Sequence, residues 1–296
     1  MIAGEHAVLH KKHALVGAVN QRVYVSIEPR DDDLIIIHSS LGERQMSRKQ
    51  IDLSKPFHFI GAILTKYRDI FECGFDLSVK ADFPADVGLG SSSAISVATM
   101  AVVQIWLTDN FPERDKLMKD TIEIIRAVQG RGSGADVAAA VYGGILLYKA
   151  TPEIISRHVD LPPIALVYAG YKTPTPKVIK IVEQQRKHSA DGYENLYNRI
   201  DASTIAANEA LRNKDWRSLG LVLNKGQILM EELGVCDDAL AEIVAIMNGM
   251  PNIVGTKISG SGLGDCVLGI GKIDDIDCKY KVIPIELSPH GVKQEK

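Results

Sequence analysis

Residues 84–94 read P-A-D-V-G-L-G-S-S-S-A, set between a strand-like run, "FDLSVKADF", and an apolar segment, "AISVATMAVVQIWL". Two glycines permit positive φ and close approach of the backbone to a ligand, while serine hydroxyls can donate, accept, cap a helix or reach a metal. Alone, the stretch reads equally as a serine-capped helix start and as an anion site built on helix N–H groups. Its surroundings have to decide.

Upstream, the chain is β-rich. "RVYVSIEP" and "FDLSVKADF" alternate, "DLIIIHSS" is a short β-branched run, and "KPFHFIGAILTKYRDIFE" between them has helical spacing. Downstream, residues 92–107 form a helix apolar all round, the pattern of a buried helix. An amphipathic helix, "ERDKLMKDTIEIIRAVQ", leads into "GRGSGADVAAAVYGGILLY", a glycine turn with a short Ala-rich helix and a strand. "IALVYAG" reads as a strand and "TPKVIKIVEQQRKH" as a helix with proline near its start, where the missing N–H does no harm. Three helical patterns fill residues 193–250, "GTKISGSGLGDCVLGIG" interrupts with glycines, and "KYKVIPIELSP" closes the chain. Early strands and late helices predict an α+β fold and disfavour alternating βαβ units. Neither a G-x-G-x-x-G opening a βαβ unit nor a G-x-x-x-x-G-K-[ST] loop is present.

The chain has 296 residues, 46% hydrophobic and 24% charged, enough for a sizeable core and two packed domains. Its formal charge of -3 gives no basic field for nucleic acid or an anionic membrane. Cys73, Cys236, Cys266 and Cys278 lack C-x-x-C spacing, so reduced thiols in the cytoplasm are expected. No apolar stretch is expected to reach the roughly 20 residues of a membrane span. The opening "MIAGEHAVLH" reads as a strand cut at its start, with residues expected to be missing upstream.

Glycine turns recur at 84–94, 130–136 and 260–264. A polyphosphate needs several backbone N–H donors facing it, so the three turns together favour the anion reading. The motifs also resemble a known family. "PADVGLGSSSA" is similar to the P-x-x-x-G-L-G-S-S-A phosphate loop of the GHMP kinase superfamily, and "GEHAVLHKKHAL" to the first motif of its mevalonate kinase branch. "GSGADVAAAVYGG" resembles the segment that carries that branch's catalytic aspartate, and "KISGSGLGDCVLGIG" the third, glycine-rich motif. The four stand in the family's order over residues 4–271.

The resemblance implies a two-lobed GHMP kinase fold: residues 1–150 as an N-terminal lobe similar to ribosomal protein S5 domain 2, residues 151–296 as a ferredoxin-like lobe, with the active site between them. It implies that Gly88, Leu89, Gly90, Ser91 and Ser92 wrap the phosphates of ATP, and that Ser92 reaches Mg2+. Asp136 becomes the carboxylate that orients or deprotonates the acceptor hydroxyl, on a turn shaped by Ser133 and Gly134. Glu5, His6, Ser133, Gly134 and Thr173 fall on the substrate side, Gly260, Ser261 and Gly262 close the site as cofactor-binding residues, and Thr173, with Thr175, sits on a hydroxyl-bearing turn. Without the resemblance, Asp136 reads as a helix N-terminal charge, His6 as a packing residue, 260–264 as a strand turn and Thr173 as a cap.

Two departures stand out. The family's Pro-Gly-Lys before Gly-Glu-His falls ahead of Met1: either its lysine is lost or, as the cut opening strand favours, it is expected among residues missing upstream. Eleven residues before Asp136, where mevalonate kinases carry a magnesium-binding glutamate, stands Ile125, and Glu123 is turned about 200° away on a helix. "GSGADVAAAVYGG" and Asp265 look closer to phosphomevalonate kinases, whereas Gly4-Glu5-His6 looks closer to mevalonate kinases. The expected function is an ATP- and Mg2+-dependent small-molecule kinase of isoprenoid synthesis acting on mevalonate. Alternatives are phosphomevalonate, for whose phosphate Lys172, Lys177 and Arg131 offer cations, a sugar acceptor, or an inactive nucleotide-binding regulator. No nucleic acid or membrane partner is expected, and a homodimer is an allowed assembly.

Overall fold

The computed structural model of the protein describes residues 1–82, 90–273 and 279–295. The first strand, β1 (His13–Gly17), takes its partner from far along the chain. The segment that follows builds its own sheet from β2 (Val23–Pro29), β3 (Leu34–Ser39), β4 (Gly42–Ser47) and β5 (Phe75–Ala81), in the order β2-β5-β3-β4. β5 pairs antiparallel with β2 and parallel with β3. Its alternation is real: Phe75, Leu77 and Val79 face inward.

Four helices complete this unit: α1 (His58–Tyr67), α2 (Ser91–Thr108), α3 (Arg114–Gln129) and α4 (Ala135–Tyr142). Phe71, Phe75 and Trp106 pack with ring centroids 4.9–5.6 Å apart, locking α2 to the sheet. α2 spans 18 residues at a mean hydropathy of 1.3, long and apolar enough to cross a membrane, contrary to the expectation that no stretch would be. It packs against β2, α1, α3 and α4, the surroundings of a core helix.

β1 pairs with β6 (Ile145–Lys149), which pairs with β7 (Glu153–His158). A second sheet has the order β11-β8-β10-β9, from β8 (Ile164–Lys172), β9 (Ile253–Ser259), β10 (Gly264–Gly271) and β11 (Lys281–Ile283). Helices α5 (Thr175–Arg186), α6 (Ala190–Arg212), α7 (Trp216–Glu232) and α8 (Asp238–Asn248) accompany it. Asp215 and Asp237 cap α7 and α8 by accepting from the N–H of Ser218 and Leu240. Val167, Val178, Tyr197, Met230, Leu240, Ile258 and Val267 are at the centre of this core.

The compact units are therefore Met1–Asn20 with Gly143–Pro289, and Gln21–Tyr142 with His290–Lys296. These bounds differ from the contiguous halves 1–150 and 151–296, because the register His13↔Lys149 to Gly17↔Ile145 draws the first segment into the unit that holds the later helices. The glycine-rich stretch near residue 260 does not merely interrupt the chain. It is a hairpin, β9 to β10, in which β10 is covered by strands on both sides.

Candidate active site

In the unit Gln21–Tyr142, the start of α2 is the centre of interest. Gly90 is its N-cap, at φ 75° and ψ 28° in the left-handed region, where an L side chain is strained. It provides no side-chain cap, so the first-turn N–H groups at Ser91 and Ser92 are left for a ligand or solvent, at the positive end of the helix dipole. Ser91 and Ser92 are half-buried, and Ser93 turns into the fold. Gly88 and Leu89 lie outside the described residues.

Asp136 lies beside this helix start. A Cβ built on Gly90 would stand 3.5 Å from Asp136 Cβ and 3.7 Å from its Oδ2. The carboxylate is exposed and opens α4, after Gly134 at φ 86°. The Ala135 N–H donates to Ser133 Oγ at 3.3 Å. Arg126, in the last turn of α3, donates from Nε to the Gly132 carbonyl at 3.0 Å and from Nη2 to that of Ser133 at 3.4 Å. The turn presenting Asp136 is thus pinned from below by a residue that the sequence reading passed over. Arg126→Met should lower kcat about 10-fold while leaving ATP affinity within about 2-fold, because only the aim of Asp136 is loosened. Steady-state kinetics with nucleotide titration will check this.

In the other unit, Glu5, His6 and the 260–264 turn come together. His6 Nε2 is 2.8 Å from the Ser261 carbonyl, which can only accept, so the ring carries its proton on Nε2. Burial pushes the His6 pKa down, against the opposing pull of that carbonyl bond, and the neutral ring keeps a lone pair on Nδ1. Glu5 is buried 2.6 Å from Lys257 Nζ. Gly260, Ser261 and Gly262 form the turn from β9 to β10, where the Leu263 N–H donates to the Val235 carbonyl at 2.8 Å. Ser261 Oγ reaches Thr175 Oγ1 at 3.5 Å. Thr173 is half-buried just before Pro174, the N-cap of α5, so it does not cap that helix.

The pKa shift at His6 has a pH consequence. The unfolded imidazole titrates near 6.5 and the folded one lower, so the unfolded state binds more protons in that window. Stability contributed by neutral His6 is fully present above about pH 6.5 and is lost as pH falls toward the folded value. His6→Asn, which tolerates positive φ, should flatten part of the drop in Tm between pH 7 and 5. Calorimetric scans across that range read it out.

Lys172, expected as a cation for a phosphorylated acceptor, is engaged elsewhere: its Nζ is 2.9 Å from Oδ2 of buried Asp265. Ile125 sits in the core and Glu123 points to solvent, so neither supplies a metal ligand. Among the described residues no group of three or more His, Cys, Asp or Glu could hold an ion. The Ser92 hydroxyl, a hard oxygen donor in the first turn of α2, fits a cation that keeps most of its ligands on phosphate and water.

Residues 57–144 match the GHMP kinases N terminal domain and residues 207–276 the GHMP kinases C terminal domain. The chain is 28% identical to a mevalonate kinase of Archaeoglobus fulgidus, covering 92% of this chain and 89% of the relative. It is 26% identical to a mevalonate kinase of Methanothermobacter thermautotrophicus, covering 99% and 96%. The crystal structure of the Methanococcus jannaschii mevalonate kinase superposes with a TM-score of 0.81 at 21% identity, covering 97% of this chain and 95% of that one.

Proposed function

The chain belongs to the GHMP kinase family and is a phosphotransferase, and from that premise we propose that it moves the γ-phosphate of ATP to the hydroxyl of mevalonate. The observation that carries the chemistry is the Asp136 carboxylate packed against Gly90 at the uncapped start of α2. Backbone N–H groups there bind polyphosphate oxygens, and the adjacent carboxylate orients an acceptor hydroxyl and takes its proton as the new P–O bond forms and the bond from the γ-phosphorus to the departing ADP oxygen breaks. Mg2+, when bound, would supply charge neutralisation on the phosphates, with the Ser92 hydroxyl as the protein oxygen to hold it. His6 offers its Nδ1 lone pair to a polar group of the acceptor.

Mevalonate is favoured over phosphomevalonate by the relatives' names, by Gly4-Glu5-His6 and by the tie between Lys172 and Asp265, which spends a cation that a second phosphate would need. The reaction then belongs to the mevalonate route to isoprenoids, in the cytoplasm. A coupled ADP-release assay with both acceptors tests this. The expected kcat/KM is at least about 100-fold higher with mevalonate, and the reverse preference overturns the assignment.

A further inference from the structure

His6 has φ 59° and ψ −51°. The Ala7 N–H donates back to the Glu5 carbonyl at 2.6 Å, so Glu5–His6–Ala7 is a γ-turn of the rare hand, whose central residue lies near φ +75° and ψ −65°. A strained conformation of this kind persists only where its surroundings over-determine it. Two contacts do so, and both come from β9 and the turn behind it. His6 Nε2 donates to the Ser261 carbonyl at 2.8 Å, and Lys257 Nζ stands 2.6 Å from Glu5 Oε1.

Lys257 is an unusual residue to find there. Its side chain is 3% exposed and that of Glu5 is 2% exposed. Its stem runs under α7 at Gly226, where a Cβ would stand 3.0 Å from Lys257 Cδ, so the glycine leaves the lysine its path. Nζ also donates to the Ile258 carbonyl at 2.5 Å. Glu5 Oε2 makes no hydrogen bond, and Oε1 faces the Lys257 ammonium, so the carboxylate is held by that charge. A buried ion pair of this kind gives little stability that a well-packed apolar pair would not give. Stability therefore does not account for it, whereas holding a strained turn does.

We infer that Lys257 is a positioning residue for the acceptor side of the reaction: through Glu5 it holds the strained Glu5–His6–Ala7 turn in the conformation that presents His6 to the acceptor. It acts through that turn and not by contact with either substrate. The inference rests on the reading of His6 as an acceptor-side residue, and its test separates the two.

The test compares wild type with Lys257→Met, Lys257→Arg and the neutral pair Glu5→Gln/Lys257→Met, using whichever acceptor the wild type phosphorylates. The neutral pair should keep its Tm within about 3 °C and its ATP Kd within about 2-fold, yet lose about 30-fold in kcat/KM for the acceptor. Lys257→Arg should recover at least about 5-fold over Lys257→Met, because the charge on Glu5 is retained. Where the Met variants do not fold, Gly226→Ala presses on the lysine stem without removing its charge and should raise acceptor KM about 3-fold or more. Wild-type acceptor kinetics in the folded neutral pair, or in folded Gly226→Ala where that variant stands in, overturns the positioning role. A wild type that phosphorylates only another acceptor overturns the substrate reading and leaves this comparison to be made with that acceptor. One arm needs no turnover: the His6 Nε2–H proton resonance should shift or broaden in the neutral pair, and an unmoved resonance contradicts the inference.

Discussion

Asp136→Asn is expected to lower kcat about 1000-fold, some 4 kcal/mol of transition-state stabilisation, while leaving ATP affinity within about 3-fold. The carboxylate is exposed and next to the α2 start, where it can meet a reacting hydroxyl without having to leave a buried pair. Asparagine keeps the shape and a hydrogen-bonding oxygen but cannot take the proton. The competing view is that Asp136 only places negative charge at the N-terminus of α4. That view expects a stability loss of up to about 1 kcal/mol with turnover unchanged. Kinetics, nucleotide binding and thermal melting on the same variant separate the two, and full activity in Asp136→Asn removes it from the chemistry.

His6→Phe is expected to have the next largest effect, on the other side of the reaction. The ring volume is kept, while both the donor to the Ser261 carbonyl and the Nδ1 lone pair are lost. A site built to hydrogen-bond a polar acceptor loses heavily when its own polar group is removed, so kcat/KM for the acceptor should fall about 100-fold. ATP Kd should stay within about 3-fold, because the groups assigned to the phosphates are on α2. A variant with unchanged acceptor kinetics would make His6 a packing residue.

The parts of this protein written locally were the easiest to read. β5 shows its two-residue period in "FDLSVKA", and α2 shows a continuous apolar run closely matching its observed Ser91–Thr108 span. The turn before Asp136 was visible as glycine and serine ahead of an Ala-rich helix. What escaped depends on contacts distant in sequence. No property of "HALVG" says that its partner is "ILLYK", yet that pairing decides which unit the first segment joins. Lys257 sits in a strand where a lysine ordinarily marks the solvent face, and only the folded chain reveals Glu5 beside it. Arg126 reads as a cation favouring a helix C-terminus and turns out to hold the carbonyls behind Asp136. Asp265 and Leu263, non-glycine residues at φ 76° and 54°, close a turn whose glycines gave no sign that their neighbours share the left-handed region.

The most direct test of the central claim is phosphorus-31 NMR of a reaction holding the protein, ATP, Mg2+ and mevalonate. A new phosphomonoester signal split by the adjacent methylene protons, growing in step with ADP, is the expected result. ADP formed only with inorganic phosphate, or no turnover of mevalonate alongside a diphosphate signal when phosphomevalonate is supplied, would contradict it.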